Sequence, residues 1–486
     1  MGRRHFLAGL GLAATADLMT SMATANASPR QPTDRAADPD ADAADPSGCD
    51  RTVVYGCLLH FLDDPGDPPA EQAWELFEDG ALVIENGKVV WLGPVQRLSD
   101  QHTADAKVID HRGQLVLPGF VDTHAHYSQV DVIASYGEQL PQWLDKYVYP
   151  AESRFDQPRH AELMASFFLD RMLAAGTTTA SVFPTVHANS VDAFFAEAER
   201  RNLRVLCGKV LMDREPHAPS HLRDLSVAQA REQTLDLIAR WHGRGRLGYS
   251  ITPRFAPTST EQLLQMVGQL RQERPDLWLQ THAAENRAEV DLVRTMFNAR
   301  SYIDVYDRFG LLGPRSVFAH CVHIDDQDRT RLAATHSSIA HCPTSNLFLG
   351  SGLFQLAEAR GARVQVGLGT DIGGGTSYSL LQTLNEAYKV QALQGKRLSA
   401  ARGFYLATLG GARTLQLDQQ IGNFQPGKEA DFVVLDWAAT PVLARRTEVA
   451  TSFQERLFAL MTLGDERAVA ATYVMGKRHH SAPARS

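Results

Sequence analysis

The chain has 486 residues, 44% hydrophobic and 21% charged, a globular composition too long for one ordinary core and long enough for a large barrel with a smaller companion. Forty-eight Lys and Arg against 56 Asp and Glu leave a formal charge of −8 with no basic stripe, so nucleic acid is not an expected partner. No run approaches the ~18 apolar residues of a membrane span, and the five cysteines, none in a CxxC pair, suit neither a disulfide scaffold nor a cysteinate metal cluster.

Residues 1–27 open with Met1-Gly2-Arg3-Arg4-His5-Phe6-Leu7, continue through small apolar residues to Ala16, and reach Ala25-Asn26-Ala27. Adjacent arginines, a short apolar stretch interrupted at Asp17, and an A-x-A exit read as a twin-arginine-type export signal. The expected compartment is the periplasm or beyond, with the cytoplasm as the alternative. Residues 28–50 are mostly Pro, Asp and Ala and have little to bury, so they read as a disordered linker. In residues 51–117, alternating runs such as Ala81-Leu82-Val83-Ile84 and Lys88-Val89-Val90-Trp91-Leu92 predict antiparallel strands.

From 118 to 410 the texture changes. Apolar, β-branched stretches at 119–123, 177–183, 203–210, 247–252, 277–281, 316–319, 337–340 and 364–369 are separated by helical patterns rich in Ala, Leu, Glu and Arg. Strand–helix alternation implies a parallel sheet, and eight repeats predict a closed (β/α)8 barrel. Strand texture returns at 430–435 and 470–474. Residues 411–478 are therefore expected to join 51–117 in a small β-sandwich beside the barrel, leaving 479–486 as a tail. The predicted fold class is α/β, a TIM-like barrel with a β-sandwich built from both of its flanks.

In such a barrel the chemistry sits at the C-terminal strand ends. The first strand exits as Asp122-Thr123-His124-Ala125-His126, and on extended backbone residues i and i+2 point the same way. A lone pair of this kind is commonplace. The fifth strand, however, exits at Thr281-His282, the sixth at Ala319-His320 and the eighth at Gly369-Thr370-Asp371. His or Asp at four exits that the fold gathers around one point predicts a metal site. Neutral imidazoles with a carboxylate suit a borderline cation, zinc foremost and iron second. One ion per chain is expected, because the fourth strand offers no lysine to help bridge a pair, and Lys209 on the third strand reads as structural.

Zinc with an open position lowers the pKa of its water from ~15.7 to ~7, supplying hydroxide at neutral pH. Glu285, three residues past His282, is placed to shuttle the proton; alone it would read as a helix-start Glu favoured by the dipole. Asp371 can both touch the metal and accept the water's proton. His320 is either a ligand or, more usefully, a hydrogen-bond partner of the attacking oxygen.

More selective segments accompany these residues. They are Tyr127-Ser128-Gln129, Leu144-Asp145-Lys146-Tyr147 leading to Pro150-Ala151-Glu152, Thr252-Pro253-Arg254-Phe255, His282-Ala283-Ala284-Glu285-Asn286, His341-Cys342-Pro343-Thr344-Ser345-Asn346, and Gly369-Thr370-Asp371-Ile372-Gly373-Gly374-Gly375-Thr376-Ser377-Tyr378-Ser379. Together with Pro118-Gly119-Phe120-Val121-Asp122 they make the chain, from about 52 to 477, resemble the guanine deaminases of the amidohydrolase superfamily. The resemblance implies hydrolysis of guanine to xanthine and ammonia by metal-hydroxide attack at C2, on one zinc held by His124, His126, His282 and Asp371. It places Glu285, Asp371 and His320 in catalysis, and Gln129, Arg254, Phe255 and His282 against the purine. A guanidinium is a permanently charged donor suited to O6, and an amide can both donate and accept on a purine edge. Attack at C2 pushes charge toward N3 and O6, where a protonated Glu285 and Arg254 would stabilise it. Asn346 and Trp143 are further pocket candidates outside this set.

The resemblance also implies a homodimer, and the export signal departs from a family that is generally cytoplasmic. Competing functions are an amidohydrolase of another heterocycle (8-oxoguanine, an adenosine derivative or a triazine), a two-metal cyclic amidase, and a scaffold that kept the fold without activity. His160-Ala161-Glu162 matches half of the other zinc-deaminase signature, but no P-C-x-x-C accompanies it. Gly373-Gly374-Gly375 lacks the Gly-Lys-Ser/Thr ending of a phosphate loop and reads as a turn that lets backbone approach the substrate. Cys321 and Cys342 read as small packed side chains.

Overall fold

The computed structural model describes residues 51–137 and 140–483. The export-signal and linker readings of residues 1–50, and the last three residues of the tail, lie outside the described residues. Four strands precede the barrel: β1 (Arg51–Phe61), β2 (Trp74–Glu85), β3 (Lys88–Pro94) and β4 (Lys107–Pro118). The barrel region holds β5 (Phe120–His126), β6 (Thr177–Phe183), β7 (Arg204–Cys207), β8 (Val210–Leu211), β9 (Leu247–Pro253), β10 (Trp278–Ala283), β11 (Ser316–His320), β12 (Ser338–His341) and β13 (Gln365–Leu368). Three strands follow: β14 (Phe432–Leu435), β15 (Val469–Val474) and β16 (Lys477–Ser481).

The barrel strands run parallel in the order β5-β6-β7-β9-β10-β11-β12-β13, with β8 beside β9. Every residue of β5, β6 and β9 is buried, as expected of strands covered on both faces. The β13 and β5 edges are stitched at their exits. Thr123 Oγ1 donates to the Leu368 carbonyl at 2.9 Å, and the N–H groups of Asp371 and His126 donate to the carbonyls of His124 (2.9 Å) and Ile372 (2.7 Å). This closure brings the first and last strand exits together.

All eight predicted stretches are strands, with two informative differences. β5 continues past residue 123, so both of its histidines are still on extended backbone. The stretch 203–210 breaks into β7 and β8 around Gly208-Lys209. A Cβ on Gly208 would lie 1.8 Å from the Ser250 carbonyl oxygen, so β9 passes too close there for any side chain. Helices pack outside the barrel with amphipathic spacing. Pro158–Ala174, for example, begins on proline and buries Ala161, Ala165, Phe168, Leu169, Met172 and Leu173. No helix among the described residues is long and apolar enough to cross a membrane.

The two flanks meet in one seven-stranded sheet, ordered β16-β15-β14-β4-β1-β2-β3, with β14 antiparallel to β4. Two expectations need correction here. β1 and β4 pair in parallel, not antiparallel. The returning flank is also not all strand, since helices Pro441–Glu448 and Phe453–Leu463 separate β14 from β15. The sheet curls over its own face around Val54, Leu58, Leu82, Ile84, Phe432, Val434 and Tyr473. Its rim closes where Ala430 N–H donates to the Gly87 carbonyl and Val89 N–H to the Lys428 carbonyl, at 2.8 and 2.9 Å. Cys57, Leu59 and Phe61 of β1 instead join the barrel's core, which seats the sheet against it. Below the barrel strands, Glu429 accepts from Arg204 Nε at 2.7 Å and Arg246 Nη2 at 2.6 Å, and Arg246 also pairs with Asp431.

Candidate active site

Four strand exits deliver the polar side chains. His124 and His126 come from β5, His282 from β10, His320 from β11, and Asp371 follows β13. Ala284, His320 and Asp371 have φ of +50°, +69° and +52°. Non-glycine residues in this left-handed region carry a conformational cost, and here they cluster where the exits turn across the barrel mouth. Asp122, one turn of pleat below His124, locks the first exit to the last. Its carboxylate accepts from the N–H groups of His124 (3.1 Å) and Thr370 (3.0 Å) and from Thr370 Oγ1 (2.5 Å). Burial pushes this carboxyl up to about 7.

One donor atom from each of His124, His126, His282 and Asp371 lies within 4.8 Å of the other three. His126 Nε2 is 3.0 Å from His282 Nε2, and Asp371 Oδ1 is 3.2 Å from His124 Nε2 and 3.4 Å from His126 Nε2. Ligand bonds of ~2.0–2.1 Å around a tetrahedral zinc separate donor atoms by about 3.3 Å, so the set fits such a cation. The chemistry fits as well. His124 Nε2 is buried without a hydrogen-bond partner among the described residues. Burial lowers the pKa of His124, His126 and His282, keeping the imidazoles neutral as ligands must be. Asp371 would be raised by burial, but the adjacent His124 and His126 hold it well below the carboxylate range. His282 Nδ1 donates to the Arg254 carbonyl at 2.7 Å, which aims Nε2 at the cluster. Phe183 packs against the rings of His124, His126 and His282 at 4.7–5.0 Å. Lys209 takes no part, since its ammonium is buried in a pair with Asp224.

Glu285 and His320 face each other beside this cluster, with Oε2 and Nε2 3.6 Å apart, and His320 Nε2 is 3.8 Å from Asp371 Oδ2. Glu285 Oε1 accepts from Ser351 Oγ at 3.0 Å, and burial raises its pKa above the ordinary value. His320 Nδ1 donates to Asn346 Oδ1 at 2.9 Å. Burial alone would lower His320, but Glu285 and Asp371 raise it overall. The pair thus sets two buried titratable groups, both with raised pKa values, next to the four donors.

A pocket opens above the cluster. Gln129, Arg254, Glu285, His320 and Asp371 supply its polar side, Leu140, Trp143, Leu144, Phe255 and Leu349 its apolar side, and Gly374 a stretch of bare backbone. A Cβ on Gly373 would sit 2.4 Å from the Gln129 carbonyl oxygen, so the glycine run does bring backbone close to the site. Arg254 is not a rim residue. It is 3% exposed, its Nη1 donates to Glu152 Oε2 at 2.7 Å, and its Cζ lies 5.3 Å from the Tyr149 ring centroid. Gln129 Nε2 donates to Glu152 Oε1 at 3.0 Å and lies 3.1 Å from His126 Nδ1. Cys321 and Cys342 are buried thiols.

His126, Gln129, Arg254, Phe255, His282, Glu285, His320 and Asp371 line this pocket, and His124 joins three of them in the four-donor cluster. Asn346 and Trp143, considered only as lining, prove to be the partner of His320 and part of the pocket wall. Glu152, Asp122, Ser351 and Phe183 were not selected as site residues. Glu152 had a trace in the Pro150-Ala151-Glu152 segment and Asp122 in Pro118-Gly119-Phe120-Val121-Asp122; Ser351 and Phe183 have no sequence signal that separates them from ordinary core and loop residues.

Comparison with known proteins agrees with the geometry. The model of the amidohydrolase family matches residues 115–478, and the chain belongs to that family. Within it, the chain is similar to guanine deaminases. It is 50% identical over 421 residues to the guanine deaminase of Escherichia coli, covering 86% of this chain and 95% of that protein. A probable guanine deaminase of Deinococcus radiodurans is 43% identical over 432 residues, 87% of this chain and 97% of the relative. Among solved structures, E. coli guanine deaminase superposes with a TM-score of 0.85 at 48% identity, covering 88% and 99% of the two chains. A guanine deaminase from C. acetobutylicum with guanine bound in its active site gives 0.79 at 26% identity, with the same coverage.

Proposed function

We propose that this chain deaminates guanine, hydrolysing it to xanthine and ammonia with one zinc ion per chain. The observation that carries the reading is the buried Arg254 guanidinium lining the same pocket as His126, His282 and Asp371 of the four-donor cluster, with a buried Glu285 in the same wall. Similarity to guanine deaminases over most of the chain, one of them with guanine in its active site, supports it.

His124, His126, His282 and Asp371 would hold the ion, which when bound supplies the Lewis acidity that makes water a nucleophile at neutral pH. The chain's own groups do the rest. Arg254 donates to O6 and takes up charge developing there, while Phe255 and Trp143 flank the ring. Asp371 accepts a proton from the attacking water as its oxygen bonds to C2, and His320 hydrogen-bonds to that oxygen. Glu285 delivers a proton to N3. The C2–N bond then breaks, and the amine leaves as ammonia after protonation through Glu285 and Asp371. Of the water's two protons one ends on N3 and one on the amine, so the step balances.

Incubating purified protein with guanine while following xanthine formation tests this directly, with 8-oxoguanine, adenosine and triazines as the competing panel. Arg254→Ala should lower kcat/KM for guanine by about 100-fold, the scale of a lost charged hydrogen bond, at unchanged zinc content. Loss of zinc instead would make Arg254 a structural residue. Export and a homodimer belong to the same proposal, supported by the Arg3-Arg4 leader and the family resemblance; cell fractionation and light scattering test them.

A further inference from the structure

Resting on the guanine reading above, we infer that Glu152 is a positioning residue that sets the two polar readers of the pocket and makes it selective for the lactam edge of a 6-oxopurine. Glu152 belongs to the helix Tyr149–Ser153, and its side chain is only 1% exposed. A buried carboxylate needs partners for its oxygens. Glu152 finds them in residues far away in sequence, Arg254 Nη1 on Oε2 at 2.7 Å and Gln129 Nε2 on Oε1 at 3.0 Å. No other described side chain bonds to both.

The consequence is orientational. An ionised carboxylate only accepts, so Gln129 must turn its NH2 toward Glu152. That leaves Oε1, the acceptor end, on the other side, with a long 3.5 Å contact from Gly373 N–H. The same carboxylate accepts from one Arg254 donor, Nη1, and so orients the guanidinium's remaining donors. The pocket therefore presents a charged donor beside an amide acceptor. Guanine offers the complement, the O6 acceptor next to the N1–H donor. A purine with no oxygen at position 6 and no proton on N1 offers neither. A site built on paired polar groups rejects a ligand that leaves them unpaired more strongly than an apolar slot rejects a change of size.

The test compares guanine with 2-aminopurine, which shares the ring and the 2-amino group but lacks the 6-oxo group and the N1 proton. In Glu152→Gln, kcat/KM for guanine should fall by about 100-fold, mostly through KM. The inhibition constant of 2-aminopurine against guanine should change by less than about 3-fold or tighten, because the amide is released. Glu152→Asp, which keeps the charge, should recover part of the loss. Zinc content and melting temperature are read in parallel. Equal weakening of both ligands, an unaffected guanine efficiency, or two variants that fold poorly or lose zinc would each overturn the inference and leave Glu152 an anchor of the fold. Failure of the underlying function looks different, since then the wild-type protein itself would form no xanthine.

Discussion

Glu285 shows how a residue acquires a role from its surroundings. Its carboxyl is buried, hydrogen-bonded by Ser351 on one oxygen and within 3.6 Å of His320 on the other, yet its oxygens lie outside the four-donor set. Its removal therefore leaves all four donor atoms in place. Glu285→Gln should lower kcat by about 10²–10⁴-fold, the range of general acid–base catalysis, while metal analysis shows zinc content unchanged. A variant that lost zinc in proportion to activity would show that Glu285 acts by holding the ligand cluster. At this scale the sequence was informative wherever chemistry demanded a particular residue at a strand end, as at His124, His126, His282 and Asp371. It was silent about Ser351 and Phe183, whose types are common and whose importance is purely positional.

Helices and strand exits carry the next level of order. Asn286 caps the helix Arg287–Phe297 in a capping box with Glu289, whose carboxylate accepts from the N–H groups of Glu285 and Asn286. The turn after β10 is thereby held just where Glu285 must point inward. Elsewhere the helix Ala188–Arg200 ends in a cluster in which Glu197 accepts from Arg200 Nε and Nη2 at 3.0 and 2.8 Å and pairs with Arg201. Chiefly through Arg200, its carboxyl is lowered from 4.5 to about 2. Because the folded value lies below the unfolded one, this pairing stabilises the protein above pH ~4.5 and fades as pH falls toward 2. The melting-temperature gap between wild type and Glu197→Gln should be widest above pH 5 and close on acidification. A gap independent of pH would mean that the charge contributes nothing. The helices themselves were legible from apolar spacing, and the strand boundaries nearly so. The break at Gly208 and the parallel β1–β4 pairing were not, since both depend on which distant strand lies alongside.

At the scale of the whole molecule, the barrel and the curled sheet are joined beneath the catalytic end. Arg246 is 8% exposed and is matched by Glu429 and Asp431, while Arg204 shares Glu429. Removing one partner from such a network leaves buried charge uncompensated. Arg246→Met is expected to lower the unfolding free energy by about 3–5 kcal/mol in denaturant melts. The turnover per bound zinc should stay at the wild-type value, because the network lies at the opposite ends of the strands from the site. Lost turnover at full zinc occupancy would show that the floor and the mouth of the barrel communicate.

What the sequence determined by itself was the alternation of strand and helix, the number of barrel repeats, and the His, Asp and Glu residues that the strand exits gather around one point. Those are set by local periodicity and by the narrow choice of side chains that can bind a cation or move a proton. Only the tertiary structure decided that Glu152 bridges Gln129 and Arg254, that Asp122 ties the first strand exit to the last, and that two flanks as far apart in sequence as Pro118 and Phe432 share one sheet. The physical reason is range. Backbone periodicity and residue chemistry are written into neighbouring positions, whereas a buried carboxylate takes its partners from whatever the closed barrel brings within 3 Å.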